Sequence, residues 1–210
     1  MSWAFKGASS VATGANPTIT PPSNVAGDLL VIFAASETQY STLSGWTELV
    51  RDNTNPRIAL WWKISSGSEG NAALTNANST SAAVMLCYGG IAASPYDALS
   101  AVASVSSTSI ATNTLTTAEG NELIISFFAS ESTGNFWASA PSGTTNRLEF
   151  APDTTNTGLL IVDENNVSAG TSTSRTATVS SASRPLKAVS VAFKQAPPVA
   201  ASGLFFGSHF

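Results

Sequence analysis

Short runs that alternate between apolar and smaller or polar residues dominate the chain, which is the period of β-strands. Gly, Pro, Asn and Ser cluster between these runs and indicate turns. No window of helical length shows a 3.6-residue apolar period. The pattern predicts an all-β protein in which 92–105, the weakest-patterned stretch, holds either a short helical turn or a crossing loop. The strongest predicted strands cover 29–33, 58–64, 84–88, 123–127 and 189–193.

An internal repeat relates these strands to each other. The ten residues from Asp28 to Glu37 match the ten from Glu122 to Glu131 at an offset of 94, with five identities. The offset then grows steadily, as expected if loops changed length while strands kept their order. Later matches, at offsets of 98, 100 and 105, pair Ser44-Gly45 with Ser142-Gly143, Leu60-Trp61-Trp62 with Leu160-Ile161-Val162, and Val84, Leu86 and Tyr88 with Val189, Val191 and Phe193.

The half-repeats, about 28–91 and 122–194, are each too small to fold with protected edges. Packing the halves on each other buries both apolar faces at once. The sequence therefore predicts one domain over 1–195, an antiparallel β-sandwich of two sheets related by a pseudo-twofold axis. Six residues are predicted to point into its shared core: Leu29, Val31, Phe33, Leu123, Ile125 and Phe127.

Four elements of the first half carry a resemblance to a known family: Gly27-Asp28-Leu29-Leu30, Ser44-Gly45-Trp46-Thr47, Trp62-Lys63-Ile64 and Ala82-Ala83-Val84. Over roughly residues 1–195 the chain resembles a repeat-built domain of bacteriophage virion proteins and some bacterial surface proteins. The resemblance implies a jelly-roll-like sandwich that serves as a head decoration, a tail or fibre component, or an adhesive module. The second half departs from it, with Thr144 and Val162 at the Trp positions, and no catalytic residues are implied.

The chain is unusually poor in charge. Charged residues make up 10% of it, against about 25% in ordinary domains, and the net charge is −4. Its nine Lys and Arg residues form no basic cluster, which argues against nucleic acid as a partner. No apolar run is long enough for membrane insertion, and the first residues lack the features of a signal peptide. We expect a protein made in the host cytoplasm, and the resemblance implies that it acts in the virion.

The residue inventory offers little for catalysis. His209 is the only histidine, so any triad with a His base would have to use a residue of the tail, which argues against one. With Cys87 the only cysteine, His/Cys zinc sites are excluded by counting. Glu37 and Glu131 occupy matched strand ends and resemble a glycosidase carboxylate pair, although solvated strand-end charges explain them better. Cys87 is predicted to be a buried small hydrophobe. No catalytic residue and no cofactor is predicted, and the chain is expected not to be an enzyme.

Two runs of acidic and amide residues offer oxygen ligands for calcium. They cover 52–55 and 163–166, and neither has a recognisable loop spacing. Turn formation explains both runs better, so no metal site is predicted.

Several aromatic residues are candidates for contacts at the surface. Strand alternation places Trp46 and Trp62 in the core. Trp61 shares a face with Arg57 and Lys63 and is predicted to be partly exposed, unless it packs against a neighbour. Phe136 and Trp137 form an aromatic pair in a predicted loop. The candidate surface or glycan contacts are therefore Trp61, Phe136 and Trp137.

The segment 196–210 begins with prolines and is rich in apolar residues. Its candidate assembly contacts are Leu204, Phe205, Phe206 and Phe210. Burial of these side chains either joins the chain to another subunit or folds the segment back onto its own sandwich.

Two functions remain open from the sequence. The first is a non-enzymatic virion structural protein, a capsid decoration or tail component, that assembles with other virion subunits as a homo-oligomer. The alternative is a carbohydrate-binding or adhesive, receptor-binding module. A structural protein should bury its aromatic residues, whereas a sugar-binding module should present a shallow cleft lined by Trp or Tyr.

Overall fold

The computed structural model describes residues 3–76, 80–131, 137–151, 157–166, 168–180 and 184–197. Within these ranges the chain forms strands and no helix, in agreement with its alternating pattern. Accordingly, the described part contains no helix long and apolar enough to cross a membrane.

Nineteen strands are described, and they divide between the two repeats. The first repeat contains β1 (Ala4–Ala8), β2 (Ala12–Thr13), β3 (Thr18–Ile19), β4 (Leu29–Ser36), β5 (Thr47–Arg51), β6 (Arg57–Ile64), β7 (Ala72–Ala73) and β8 (Ala82–Gly89). The second contains β9 (Ile91–Leu99), β10 (Ala103–Ser107), β11 (Ser109–Ala111), β12 (Thr116–Thr117), β13 (Glu122–Ser130), β14 (Trp137–Ser139), β15 (Thr145–Phe150), β16 (Gly158–Asn166), β17 (Gly170–Thr171), β18 (Thr176–Val179) and β19 (Arg184–Gln195).

The two main sheets have equivalent strand orders, and their strand pairs are antiparallel. The first sheet has the order β1-β8-β4-β6-β5, with β2 also beside β8. The second has the order β10-β19-β13-β16-β15, with β9 also beside β19. Each repeat therefore builds one complete sheet, and the sandwich forms when one repeat packs on the other.

The strand register confirms most of the predicted repeat. Leu29 pairs with Tyr88 in the first sheet, and Leu123 pairs with Phe193 in the second. These pairs confirm the offsets of 94 and 105, because both central strands face their neighbours in the same register.

The predicted offset of 100 for the Trp-containing strand is wrong by one residue. Phe33 of β4 pairs with Leu60 of β6, and the equivalent Phe127 of β13 pairs with Ile161 of β16. Leu60 and Ile161 are 101 residues apart. Trp62 therefore corresponds to Asp163 rather than to Val162. Leu60 and Leu160 share their residue type but not their place in the sheet, because backbone pairing fixes the register.

The repeats also begin earlier than the sequence suggested. β1 and β9 lie in the same place beside β8 and β19, and each has a bulged residue at the equivalent position, Lys6 in β1 and Asp97 in β9. β9 has a second irregularity between Ile91 and Tyr96. The segment 92–105 consequently lies in the edge strands β9 and β10, apart from the short connection 100–102, so the expected helical turn or crossing loop is wrong. The reason is that the long strand β19 offers its backbone to both β9 and β10.

The shared core lies between the two sheets. The six residues predicted for it are all fully buried in one apolar cluster, which confirms that prediction. The rings of Phe33 and Phe127, which occupy equivalent positions, have centroids 4.7 Å apart. Equivalent residues touch each other only near an axis that exchanges the repeats, so a pseudo-twofold axis passes close to this pair.

Two further contacts are exchanged by the same axis. The Trp62 ring lies 5.9 Å from the Phe193 ring, and the Tyr88 hydroxyl donates a hydrogen bond to Asp163 at 3.0 Å. Because Trp62 corresponds to Asp163 and Phe193 to Tyr88, these are two versions of one contact.

Both outer faces of the sandwich are also covered. On the first sheet Trp61 packs edge-on against Tyr40 in a buried cluster that includes Ile19 of β3. On the second sheet the small sheet β11-β18-β14 lies over the outer face, where Trp137 packs against Phe128 with ring centroids 5.8 Å apart. Antiparallel sheets commonly leave one face to water, and this molecule covers both.

Candidate functional site

The tryptophans predicted to contact a partner are buried. Trp61 is 0% exposed and Trp137 is 4% exposed. The prediction of a partly exposed Trp61 is wrong because its face of β6 is covered by Tyr40 and the small sheet β3-β7. Trp137 begins strand β14 and packs inward, so it does not form an exposed aromatic loop. Outside the described residues lie Phe136, Leu204, Phe205, Phe206, His209 and Phe210.

The matched glutamates at the strand ends are half-buried. Glu37 follows β4 and Glu131 follows β13. Glu131 accepts a hydrogen bond from the Asn55 side-chain amide at 2.7 Å. This bond ties the β5–β6 loop of the first repeat to the second sheet.

Of the two acidic runs, one is a turn as predicted. Asp52 accepts hydrogen bonds from the backbone amide and the hydroxyl of Thr54, both at 2.7 Å. The same carboxylate lies 3.1 Å from the ammonium of Lys187, whose side chain is 2% exposed. The turn is thereby anchored on the opposite sheet.

The prediction of a turn at 163–166 is wrong. These residues end strand β16, and two arginines bind the acidic members of the run. Arg147 pairs with Asp163, and Arg175 forms a bidentate pair with Glu164. The composition is typical of a turn, yet ion pairs with β15 and with the loop before β18 stabilise an extended backbone.

The most distinctive polar group lies between the sheets, and we call Tyr88, Arg147 and Asp163 the interior polar cluster. The Asp163 side chain is fully buried and accepts from Arg147 Nε at 2.7 Å and from the Tyr88 hydroxyl at 3.0 Å. Its Oδ1 is buried with no hydrogen-bond partner among the described residues. Burial raises the pKa of Asp163 more than the arginine lowers it.

Aromatic residues of the N-terminal strand close this cluster. The Arg147 guanidinium lies 4.6 Å from the centre of the Phe5 ring, within range of a cation–π interaction. Trp3 packs edge-on against Tyr88 and donates its indole hydrogen to Asn165 at 3.1 Å. The cluster is therefore capped by side chains of the chain itself.

A β-bulge explains how Arg147 reaches the interior. The register of β15 shifts between Asn146 and Leu148, which leaves Arg147 as the extra residue. The first sheet has the same shift between its β5 and β6 strands, where the extra residue is Leu49. One backbone irregularity thus presents an ion-pairing side chain in one repeat and an apolar side chain in the other.

A second polar group, the carboxyl pair of Asp97 and Glu122, joins β9 to β13. Glu122 is 0% exposed and accepts from the Glu119 backbone amide at 3.0 Å. Its Oε2 is buried with no hydrogen-bond partner among the described residues, and the Asp97 carboxyl lies nearby. Burial, together with the neighbouring Asp97, raises the pKa of Glu122 to about 7. Lys194 lies 3.4 Å from Asp97 and supplies the compensating cation.

The first repeat arranges its charges differently at the same place. There the bulged residue Lys6 pairs with Asp28 at 2.7 Å. Gly89 occupies the position of Lys194, and a Cβ added there would lie 2.7 Å from Lys6 Cε. The cation therefore comes from the bulged strand in one repeat and from the last strand in the other.

Glu122 is the member of this pair whose protonation responds to its surroundings. Burial and the nearby Asp97 both disfavour its charged form, so with a pKa of about 7 its carboxyl keeps a proton at mildly acidic pH. Asp97 also accepts a hydrogen bond from the Ala118 backbone amide at 2.8 Å. These bonds fix the pair to its own loops, which is the geometry of a structural tie. No group of three or more His, Cys, Asp or Glu able to hold a metal ion is found among the described residues.

Cys87 is buried, as predicted, beside this region of the first sheet. Its sulfur lies 3.7 Å from Asp28 Oδ2. Burial and the neighbouring carboxylate raise the pKa of the thiol to about 12, so it stays protonated at neutral pH.

A shallow groove of about 380 Å³ lies between the bend that follows β1 and the loop that precedes β4. Its walls include Ser9, Thr18 and Pro22 and carry hydroxyl groups and small apolar groups. The loop between β3 and β4 that forms one wall is longer than its counterpart between β12 and β13. The groove is thus a feature of the first repeat.

Together the fold and its polar groups define a pseudo-symmetric all-β sandwich whose repeats share a backbone and differ in interior chemistry. No protein-family model, no curated protein and no solved structure matches the chain.

Proposed function

We propose that this chain is a non-enzymatic structural protein that assembles with other subunits of a virion, as a capsid decoration or tail component. The proposal combines the family resemblance of the sequence with the way in which the molecule uses its charges.

The observation that carries the proposal is the internal use of the basic residues. Seven of the nine Lys and Arg side chains form ion pairs within the chain. Several pairs hold distant segments together, including Lys187 with Asp52 and Lys194 with Asp97. Most Lys and Arg side chains therefore stabilise the fold and are not available to attract a charged ligand.

The remaining surface favours packing against other subunits. It is supplied mainly by Ser, Thr, Asn and Ala, so partners meet it through shape, backbone hydrogen bonds and small apolar contacts. Covered outer faces and cross-sheet ties also make the sandwich a rigid body. A rigid module adapts little on binding, which limits the entropy lost in assembly.

The carbohydrate-binding alternative requires an accessible aromatic platform. All five Trp residues lie in the described ranges, and each is buried or half-buried. Four pack edge-on against another aromatic ring, namely Trp3, Trp61, Trp62 and Trp137. These positions favour a core role for the rings, so the structural function is the better supported of the two.

Two measurements test the proposal. Sedimentation velocity of the purified full chain over a wide concentration range should show self-association. Mass spectrometry of density-purified particles from the source should detect the chain in stoichiometric amounts. A chain that stays monomeric and is absent from particles, or that binds a defined sugar on a glycan array, would contradict the proposal.

A further inference from the structure

Edge strands of the two main sheets differ in how they are protected against pairing with other chains. Natural sheets protect their edges with bulges, charges and prolines. β5 contains a bulge and the charged residues Glu48 and Arg51. β15 contains the corresponding bulge and the charged residues Arg147 and Glu149. Both strands at this side of the sandwich are therefore protected.

The edge strands β1 and β9 are protected in the same way. Each contains a bulge with a charged residue at its centre, Lys6 in β1 and Asp97 in β9. β9 also contains Pro95, which cannot donate a backbone hydrogen bond. Neither strand offers a regular edge to another chain.

Strand β10 has none of these features. Its sequence is Ala103-Ser-Val-Ser-Ser107, and its register with β19 is continuous over all five residues. Ser104, Val105 and Ser106 are consecutive exposed residues, and Val105 is 40% exposed. The corresponding strand of the first repeat, β2, has only two residues. β10 therefore extends beyond its counterpart as a regular, uncharged edge.

We propose that β10 is the self-association edge of this protein and pairs antiparallel with β10 of a second copy, about a twofold axis at Val105. This inference rests on the proposed function and names the surface through which copies assemble. The interface would be isologous, with the same strand contributed by both copies, and would join their second sheets into one continuous sheet.

The sequence of β10 fits a second copy of itself. About an axis at Val105, Ala103 faces Ser107 and Ser104 faces Ser106, so small residues oppose small residues and no charge is buried. Val105 shares a face with its cross-strand partner Leu186, which is fully buried in the cluster beneath the small sheet. Two Val105 side chains meeting across the axis would extend that apolar surface, since directly opposed residues approach within about 5 Å.

A cysteine placed at the axis tests the register directly. In Val105→Cys the two thiols would face each other, and a short bismaleimide should link the copies efficiently. The native Cys87 is fully buried and does not compete. Val25→Cys is the matched control, because Val25 is 57% exposed and lies outside the main sheets. Cross-linking no more efficient than in this control would overturn the inference.

A charge placed at the axis tests the energetics. Val105→Lys opposes two ammonium groups and should weaken self-association at least about tenfold, whereas Val25→Lys should leave it unchanged. Thermal melts of both variants check that the fold is kept. If the wild type self-associates and the two lysine variants associate equally well, the inference fails while the proposed function stands. If the wild type never associates and is absent from particles, both the β10 pairing and the proposed function are contradicted.

Discussion

The two repeats keep one backbone arrangement and diverge in the side chains that fill it. After the first strand, Ser9 and Ser100 make the same bonds: each hydroxyl accepts from a backbone amide of the neighbouring strand, Met85 at 3.0 Å and Ser190 at 2.9 Å. Nearby interior positions, in contrast, differ completely in polarity. Strand pairing is thus a stronger constraint than the chemistry of individual core positions.

The two contacts that the pseudo-twofold axis exchanges show this most clearly. At the apolar end of the core Trp62 packs on Phe193, and at the polar end Asp163 binds Tyr88 and Arg147. An apolar contact needs only matching shape, whereas a buried ion pair must also repay the loss of hydration. The raised pKa of Asp163 shows that burial outweighs the benefit of the arginine. The apolar end is therefore expected to stabilise the fold more.

Breaking the ion pair should give the largest effect. Arg147→Leu leaves the Asp163 carboxylate buried without its cation and should lower the free energy of unfolding by about 3–5 kcal/mol. Urea denaturation followed by tryptophan fluorescence measures this change.

Converting the polar end into an apolar one is the decisive companion experiment. The triple variant Arg147→Leu, Asp163→Leu, Tyr88→Phe removes the charge, its partner and the hydroxyl together. Apolar replacement of a whole buried ion pair is often neutral or stabilising, so this variant should recover most of the loss. A triple variant no more stable than Arg147→Leu would show that the polar end is required by more than its charge balance.

Swapping the position of a cation should give the next largest effect. Lys6→Asp places a second acid beside Asp28, as in the other repeat, and should cost roughly 2–3 kcal/mol, less than a fully buried pair because Lys6 is partly exposed. Adding Gly89→Lys supplies the cation from the position that Lys194 uses in the second repeat. Thermal unfolding of the single and double variants should show partial recovery. No recovery would mean that the repeats are not interchangeable here.

Much of this architecture could be predicted from the sequence, because strand period and repeat order are local signals. The six core residues and three of the four offsets, 94, 98 and 105, follow from patterns that the register confirms. Burial of Trp61 could not be predicted in this way. Its cover comes from Tyr40 and from strands of two residues, β3 and β7, which have no periodicity to detect.

The polar groups were missed for a related reason. Asp163 begins an Asp-Glu-Asn-Asn run that is typical of a turn, and its partners Tyr88 and Arg147 are distant in the sequence or shifted by a bulge. The carboxyl pair joins residues of two strands that flank a third. Only a register accurate to one residue brings such partners together.

The carboxyl pair should make stability depend on pH. Folding raises the pKa of Glu122 from 4.5 to about 7, so the folded state binds more protons between these values and loses stability as pH rises through them. This rise in pKa corresponds to a loss of at most about 3 kcal/mol, which is complete about one unit above pH 7. Urea midpoints from pH 5 to pH 8 measure it.

Glu122→Gln should flatten this dependence, because an amide keeps hydrogen-bonding capacity without ionising. Glu119→Gln is the matched control, because it removes the same charge from the same turn at a side chain that is 63% exposed. If the control flattens the profile as much as Glu122→Gln, the pH dependence belongs to general charge and not to the pair.

The smallest effect concerns the turn that leads into each central strand. Gly27 and Asn121 occupy equivalent positions, with φ of 90° and 59°, in the left-handed region that favours Gly and Asn. Asn121→Gly should therefore change the free energy of unfolding by less than about 0.5 kcal/mol, whereas Asn121→Ala should lower it by roughly 1 kcal/mol through backbone strain. The backbone carbonyl of Asn121, which accepts from Gln195, is kept in both variants. Chemical denaturation can resolve the difference between the two. Equal stability of the Gly and Ala variants would mean that the turn relaxes, and that side-chain chemistry rather than backbone geometry is what the repeats share at this point.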